Sequence, residues 1–233
     1  MANKETLCYS ELFCGPGGMS IGARDASSKH PKISIEHLWA TDYDEESCKT
    51  YAYNFFGSEI SKSVIHSKVE ELDYSKLDKP DILSFGFPCN DFSLVGEHKG
   101  TDGKYGPLYT YGVKGLFEFK PKCFVAENVS GIKSSNQGNA FSQILDKLKE
   151  ADPGYNLTVD EFKFENYGVP QRRHRMVIVG LRKDLGLVFE PPAETHKGNH
   201  VSCEFAIEDT NSSKNKPPSY NYKINYALAQ KLA

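Results

Sequence analysis

Residues 7–18 read LCYSELFCGPGG. The run LCYSELF predicts a strand, the glycines predict a tight turn, and a helix is expected from about Met19. Strand, glycine turn and helix in this order open a nucleotide-binding α/β unit. Glycines let the backbone approach a ligand closely, and a helix N-terminus offers unpaired N–H groups. The spacing Gly15-x-Gly17-Gly18 is not the GxGxxG of a dinucleotide site, so a purely structural turn explains it as well.

The next unit extends the pattern. Residues 35–41 (IEHLWAT) read as a second strand ending at Asp42, where a carboxylate can accept hydrogen bonds from a ribose diol. Tyr43 follows and can stack on an adenine. Asp42 can equally cap the helix that begins at Asp44-Glu45-Glu46. That helix carries Cys48, Tyr51, Ala52 and Phe55 on one face and ends at Gly57. Residues 63–72 hold a short strand-like piece and say less.

A further stretch, 81–99 (DILSFGFPCNDFSLVGEHK), begins as a buried strand, stops at Gly86 and turns at Pro88. Cys89 is thereby expected at the C-terminal mouth of a strand, where open α/β sheets bind ligands. A packed, inert thiol is the commoner fate of a free cysteine. The glycine- and lysine-bearing segment 94–107 reads as a lid over a polyanion or as a solvated loop.

Residues 123–126 predict a strand ending in Glu127-Asn128, and 139–150 an amphipathic helix with Phe141, Ile144, Leu145 and Leu148 inward. Strands are expected at 157–164 and 175–181, flanking NYGVPQRRHR at 166–175 with Arg172, Arg173 and Arg175. Such clusters usually face solvent, but this one abuts a buried run. From Glu190 the chain turns polar. The expected division is a cofactor-binding and catalytic domain over 1–190 and a polar tail, linker or partner interface over 191–233.

Composition narrows the class. With 233 residues, 39% hydrophobic and 25% charged, the chain suits one globular domain with an appendage. A net charge of −3 argues against strong non-specific DNA affinity. The six cysteines have no CxxC pairing and no zinc spacing, so no metal site is expected. Neither a signal peptide nor a membrane span is evident, and a reduced, cytoplasmic protein is the expectation.

Taken together, ELFCGPGG, TDYD, GFPCNDFS, VAENV and YGVPQRRHR resemble, in order and spacing, the motifs of the DNA cytosine-5 methyltransferases. The likeness covers residues 7 to about 190. It implies an α/β, Rossmann-like S-adenosylmethionine-dependent methyltransferase fold with a mostly parallel central sheet. It also implies methylation of cytosine carbon 5 in double-stranded DNA through a covalent cysteine adduct, with the base flipped out, as in bacterial restriction–modification. By position, Phe13, Gly15, Gly17, Gly18, Asp42, Tyr43 and Leu108 would bind S-adenosylmethionine. Cys89 would be the nucleophile, with Glu127, Arg173 and Arg175 around the base. Phe87, Pro88 and Asn128 would shape and position the site.

Two departures stand out within the matched motifs. Ser67 occupies the place of an aspartate that contacts the adenine amino group, and Asn90 that of a glutamine after the nucleophile. The family's target-recognition region and its closing Gly-Asn-Ser-Val segment are not found in these residues. The expectation is therefore either one subunit of a split enzyme, with a second subunit carrying target recognition, or a truncated product, in the bacterial cytoplasm and near the nucleoid. A tRNA cytosine-5 methyltransferase, or a catalytically silent cofactor- or DNA-binding regulatory subunit, are the alternatives.

Overall fold

The computed structural model describes residues 4–57, 63–88, 108–133 and 139–208. The chain divides into two compact units. The first comprises Met1–Glu161 and Arg175–Pro191, the second Phe162–His174 and Pro192–Ala233. Residues 162–174 thus group with the chain after 192.

The first unit is built on a seven-stranded sheet. Its strands are β1 (Glu5–Leu12), β2 (Ile33–Asp42), β3 (Val64–His66), β4 (Ile82–Gly86), β5 (Cys123–Val129), β6 (Tyr155–Lys163) and β7 (His174–Arg182). They lie in the order β3-β2-β1-β4-β5-β7-β6. The pairs β1–β2, β1–β4, β2–β3 and β4–β5 are parallel, whereas β7 runs antiparallel to β5. This is the expected α/β, Rossmann-like architecture. The strand order reverses between β1 and β4, and a crevice opens at the carboxyl ends of strands at such a switch point.

Helices α1 (Gly18–Lys29), α2 (Glu45–Phe56), α3 (Tyr109–Phe119) and α4 (Asn139–Glu150) belong to this unit. Helix α2 starts at Asp44, whose carboxylate accepts the Ser47 N–H at 2.8 Å, and ends at Gly57 in the left-handed conformation, φ 65°. Asp44 is therefore the cap, and Asp42 is not. Helix α4 buries Ala140, Ile144 and Leu148, a four-residue spacing that presents one apolar stripe.

Helix α3 is not announced by its periodicity, because Gly112 and Gly115 interrupt it. Their reason is close packing. A Cβ on Gly112 would stand 2.6 Å from the Phe85 ring, and one on Gly115 3.0 Å from a Leu83 methyl. Leu83 and Phe85 of β4 thus face α3 in the larger core, which also holds Leu12, Leu116, Phe124 and Ile144. Ser84, between them, points to the opposite face. A smaller cluster of Cys14, Ala40, Cys48, Tyr51, Ala52 and Val64 packs around α2. Among the described residues no helix is long and apolar enough to cross a membrane.

The second unit is pinned by Asn166. Its Nδ2 donates to Glu194 Oε1 at 2.6 Å, its Oδ1 lies 2.8 Å from His200 Nε2, and its carbonyl accepts the His196 N–H at 2.8 Å. His174 and Glu165 pair at 2.7 Å. A short helix, α5 (Cys203–Glu208), ends its described portion.

Candidate active site

The chain leaves β1 through a strained corner. Phe13 takes φ 55°, which a residue with a Cβ rarely adopts, followed by Gly15 at φ 50° and Gly17 at φ 98°. Backbone bonds hold the corner: the Cys14 N–H donates to the Thr41 carbonyl at 3.0 Å and the Gly17 N–H to the Cys14 carbonyl at 3.1 Å. Gly17 is packed so closely that a Cβ would stand 2.6 Å from the Phe55 ring. The glycine turn is therefore bound to β2 and α2, and Gly18 begins α1.

Asp42 closes the end of β2. Its Oδ2 accepts the Gly15 N–H at 2.8 Å and its Oδ1 the Asp44 N–H at 3.0 Å. Each oxygen keeps a lone pair for a further donor. Beside it opens a cavity of about 340 Å³, lined by Phe13, Asp42, Tyr43 and Leu108. These are four of the residues singled out in the sequence. Thr41, Ser67, Lys68, Val69 and Glu70 complete the wall and were not foreseen as a group, although Ser67 was noted. Two of them, Val69 and Glu70, come from a short 3₁₀ turn over Val69–Glu71, too brief to have a periodicity of its own.

The carboxyl ends of β4 and β5 make a second cluster. Gly86 lies opposite Glu127 in the parallel ladder, and Arg175 at the start of β7 lies opposite Val129. Arg175 Nε donates to Glu127 Oε1 at 2.8 Å, with both side chains about three-quarters buried. The Glu127 carboxylate lies over Gly86, its Oε2 at ordinary contact distance, 3.5 Å, from where a Cβ would stand. Asn128 is buried and its Nδ2 donates to the Phe87 carbonyl at 3.2 Å, fixing the backbone that leads into Pro88.

Cys89 and the 94–107 segment lie outside the described residues. Among the described thiols, burial pushes Cys14 far above its ordinary range and Cys48 and Cys123 up to about 11, so these three are inert packing groups at neutral pH. Arg173 belongs to the second unit, where it is exposed and its carbonyl accepts the Phe164 N–H at 3.0 Å. One further group had no signal in the residue pattern. Glu11 of β1 is buried behind the glycine turn and accepts hydrogen bonds from Tyr9 and Ser20.

Known proteins bear on this arrangement. The chain is 49% identical over 208 residues to the Type II methyltransferase M.BbvI of Brevibacillus brevis, covering 85% of this chain and 55% of that protein. It is 32% identical over 185 residues to M.HpaII of Haemophilus parainfluenzae, covering 79% and 48%. The chain thus spans about half the length of the curated relatives it matches. The fold is similar to that of the S. pombe Dnmt2 methyltransferase, with a TM-score of 0.56 at 18% identity over 90% of this chain and 57% of that one. It is similar also to the Entamoeba histolytica methyltransferase EhMeth, with a TM-score of 0.60 at 18% identity over 83% and 57%. The family model of the C-5 cytosine-specific DNA methylases matches residues 8–232, nearly the whole sequence. By that match and by its identity to these relatives, the chain belongs to the C-5 cytosine-specific DNA methylase family.

Proposed function

We propose that this chain is the catalytic part of an enzyme that transfers a methyl group from S-adenosylmethionine to carbon 5 of cytosine in double-stranded DNA, in bacterial restriction–modification. The observation that carries this reading is the Glu127–Arg175 ion pair beside the Phe87–Pro88 turn. The cavity at Asp42 suits the cofactor. Its carboxylate can accept from two ribose hydroxyls, Phe13, Val69 and Leu108 offer apolar walls, and Tyr43 a flat ring. When bound, S-adenosylmethionine supplies an electrophilic methyl group on a sulfonium.

The chain's own residues do the rest. Carbon 5 of cytosine is a poor nucleophile inside an aromatic ring. The Cys89 thiolate adds to carbon 6, and the displaced electron pair makes carbon 5 enamine-like. Glu127 gives or shares a proton at ring nitrogen 3, and a guanidinium N–H of Arg175 donates to the O2 oxygen, where negative charge accumulates. After carbon 5 has taken the methyl group, a base removes its proton and the thiolate leaves from carbon 6. Asn128 keeps the turn ahead of Cys89 in place. Since carbon 6 is shielded within a duplex, the target nucleotide has to be extruded.

Target recognition, in this reading, comes from a second polypeptide. A net charge of −3 over the 233 residues supports this, because phosphate contacts need clustered positive charge. The test is to incubate the chain, with and without the product of the adjacent reading frame, with labelled S-adenosylmethionine and DNA containing 5-fluorocytosine. A covalent adduct that is lost in Cys89→Ala is expected. An adduct with tRNA but not DNA would replace the substrate, and no adduct with either would leave a regulatory subunit. Full activity of the chain alone would remove the second polypeptide.

A further inference from the structure

Helix α1 begins without the usual fittings. Its N-cap, Gly17, has no capping side chain, and its first turn carries no acidic residue. The missing acceptor comes from another element. Glu11 on β1 accepts from both the backbone N–H and the hydroxyl of Ser20, in the first turn of α1. The same oxygen, Glu11 Oε2, accepts from the Tyr9 hydroxyl at 3.2 Å. Tyr9 Oη in turn bonds Ser84 Oγ on β4. Ser20 Oγ lies 2.6 Å from the Tyr51 hydroxyl of α2, which is 3.3 Å from His37 Nδ1 of β2.

The direction of these bonds follows from counting protons. Ser20 and Tyr9 each have one hydroxyl hydrogen, and each points it at Glu11 Oε2, the oxygen that carries no proton when the carboxyl is neutral. Tyr51 must then donate to Ser20, Ser84 to Tyr9, and His37 to Tyr51 through Nδ1–H. His37 Nε2 is left as a bare acceptor, and it is buried without a hydrogen-bond partner. Two donor chains therefore converge on one carboxyl oxygen at the centre of the sheet. Glu11 is only 1% exposed, and Ser20 and Ser84 are equally buried.

We propose that Glu11 is a positioning residue whose carboxyl ties α1 and the glycine turn to β4, so that the Asp42 cavity and the Phe87–Pro88 turn are held in one register. The inference rests on the functional reading above for what the two ends do, but the coupling itself is a property of the fold. Ser84 stands two residues before Gly86 on the strand that leads to Pro88, whereas Ser20 stands two after Gly18. Neither side chain lines the cavity. The shortest hydrogen-bonded route from one to the other runs Ser84–Tyr9–Glu11–Ser20.

The test uses the full chain with Ser20→Ala and Ser84→Ala, singly and together. Denaturant midpoints are measured alongside the affinity for S-adenosylhomocysteine by calorimetry. In the parent, the double variant is expected to shift the midpoint by clearly less than the sum of the singles. Ser84→Ala should weaken ligand binding by about threefold to tenfold. Glu11→Gln, which keeps an acceptor oxygen, should restore near-parental affinity, and Glu11→Leu should make the two serine effects additive. If Glu11→Leu does not fold, Tyr9→Phe severs the same chain at Ser84 and must abolish the coupling equally. Additive effects in the parent, or an affinity untouched by Ser84→Ala, would overturn the proposal. A parent that binds no S-adenosylhomocysteine would instead count against the functional reading, while the midpoints still decide the role of Glu11.

Discussion

Asn128 shows how a single side chain can hold a reactive turn in place. It is buried, its amide meets the Phe87 carbonyl, and its own Oδ1 accepts the Val129 N–H at 2.8 Å. Asn128→Ala leaves the Phe87 carbonyl unpaired in the interior. The expected loss is about 1–3 kcal/mol, read from the denaturant midpoint, with a larger fall in turnover than in cofactor affinity. Glu127→Gln is expected to leave S-adenosylmethionine binding intact and to slow methyl transfer about 100-fold or more, because a proton donor is lost where charge builds. Equal losses in binding and turnover would remove Glu127 from that role. Both residues were legible from their motif. The contact between Glu127 and Arg175 was not, since forty-seven intervening residues separate them and only the ladder brings them together. Glu11 was illegible for a different reason. A lone acid in a strand pattern looks like a solvent-facing position, and nothing local reveals that Tyr9 and Ser20 enclose it.

Among the elements, those with a stop signal or a clean stripe could be read directly. Helix α2 has its cap at Asp44 and its end at Gly57, and α4 spans the residues its apolar spacing predicts. Helix α3 hides because its glycines serve packing: tertiary contact overrides a low helix propensity. Gly112→Ala should therefore destabilise the protein despite the better propensity of alanine. The expected cost is about 1–3 kcal/mol from displacing the Phe85 ring, seen as a lower midpoint with an unchanged slope. Increased stability would mean that Phe85 can move aside freely. The antiparallel course of β7 was likewise unreadable, since an alternating or apolar pattern is the same in either direction.

Among the described residues, Glu11 and the half-buried His37 are titratable groups that pull stability in opposite directions. Burial is the main cause in both. It pushes Glu11 up to about 8 from an ordinary 4.5, and pushes His37 down to about 4 from 6.5. Between about pH 4.5 and 8 the folded chain keeps a proton on Glu11 that the unfolded chain has shed, so this contribution is full below that window and is lost as pH rises through it. Between about pH 4 and 6.5 the unfolded chain holds a proton on His37 that the folded chain lacks, so stability rises with pH there. The two offset from about 4.5 to 6.5, and from 6.5 to 8 only the Glu11 decline remains. Thermal melts across pH 6.5–8 should fall in the parent and be flat in Glu11→Gln; a parallel fall in both would assign the slope elsewhere. The reversed course of β7 has its own outcome for how such a chain can change length. Because Arg175 enters its strand where Glu127 leaves its own, the pair works like a vernier. Slipping β7 by one residue swings the guanidinium through to the sheet's other side, and slipping it by two carries it about 7 Å along. Insertions ahead of residue 174 are thus permitted only in so far as the loop absorbs every added residue and passes none of them on to the strand.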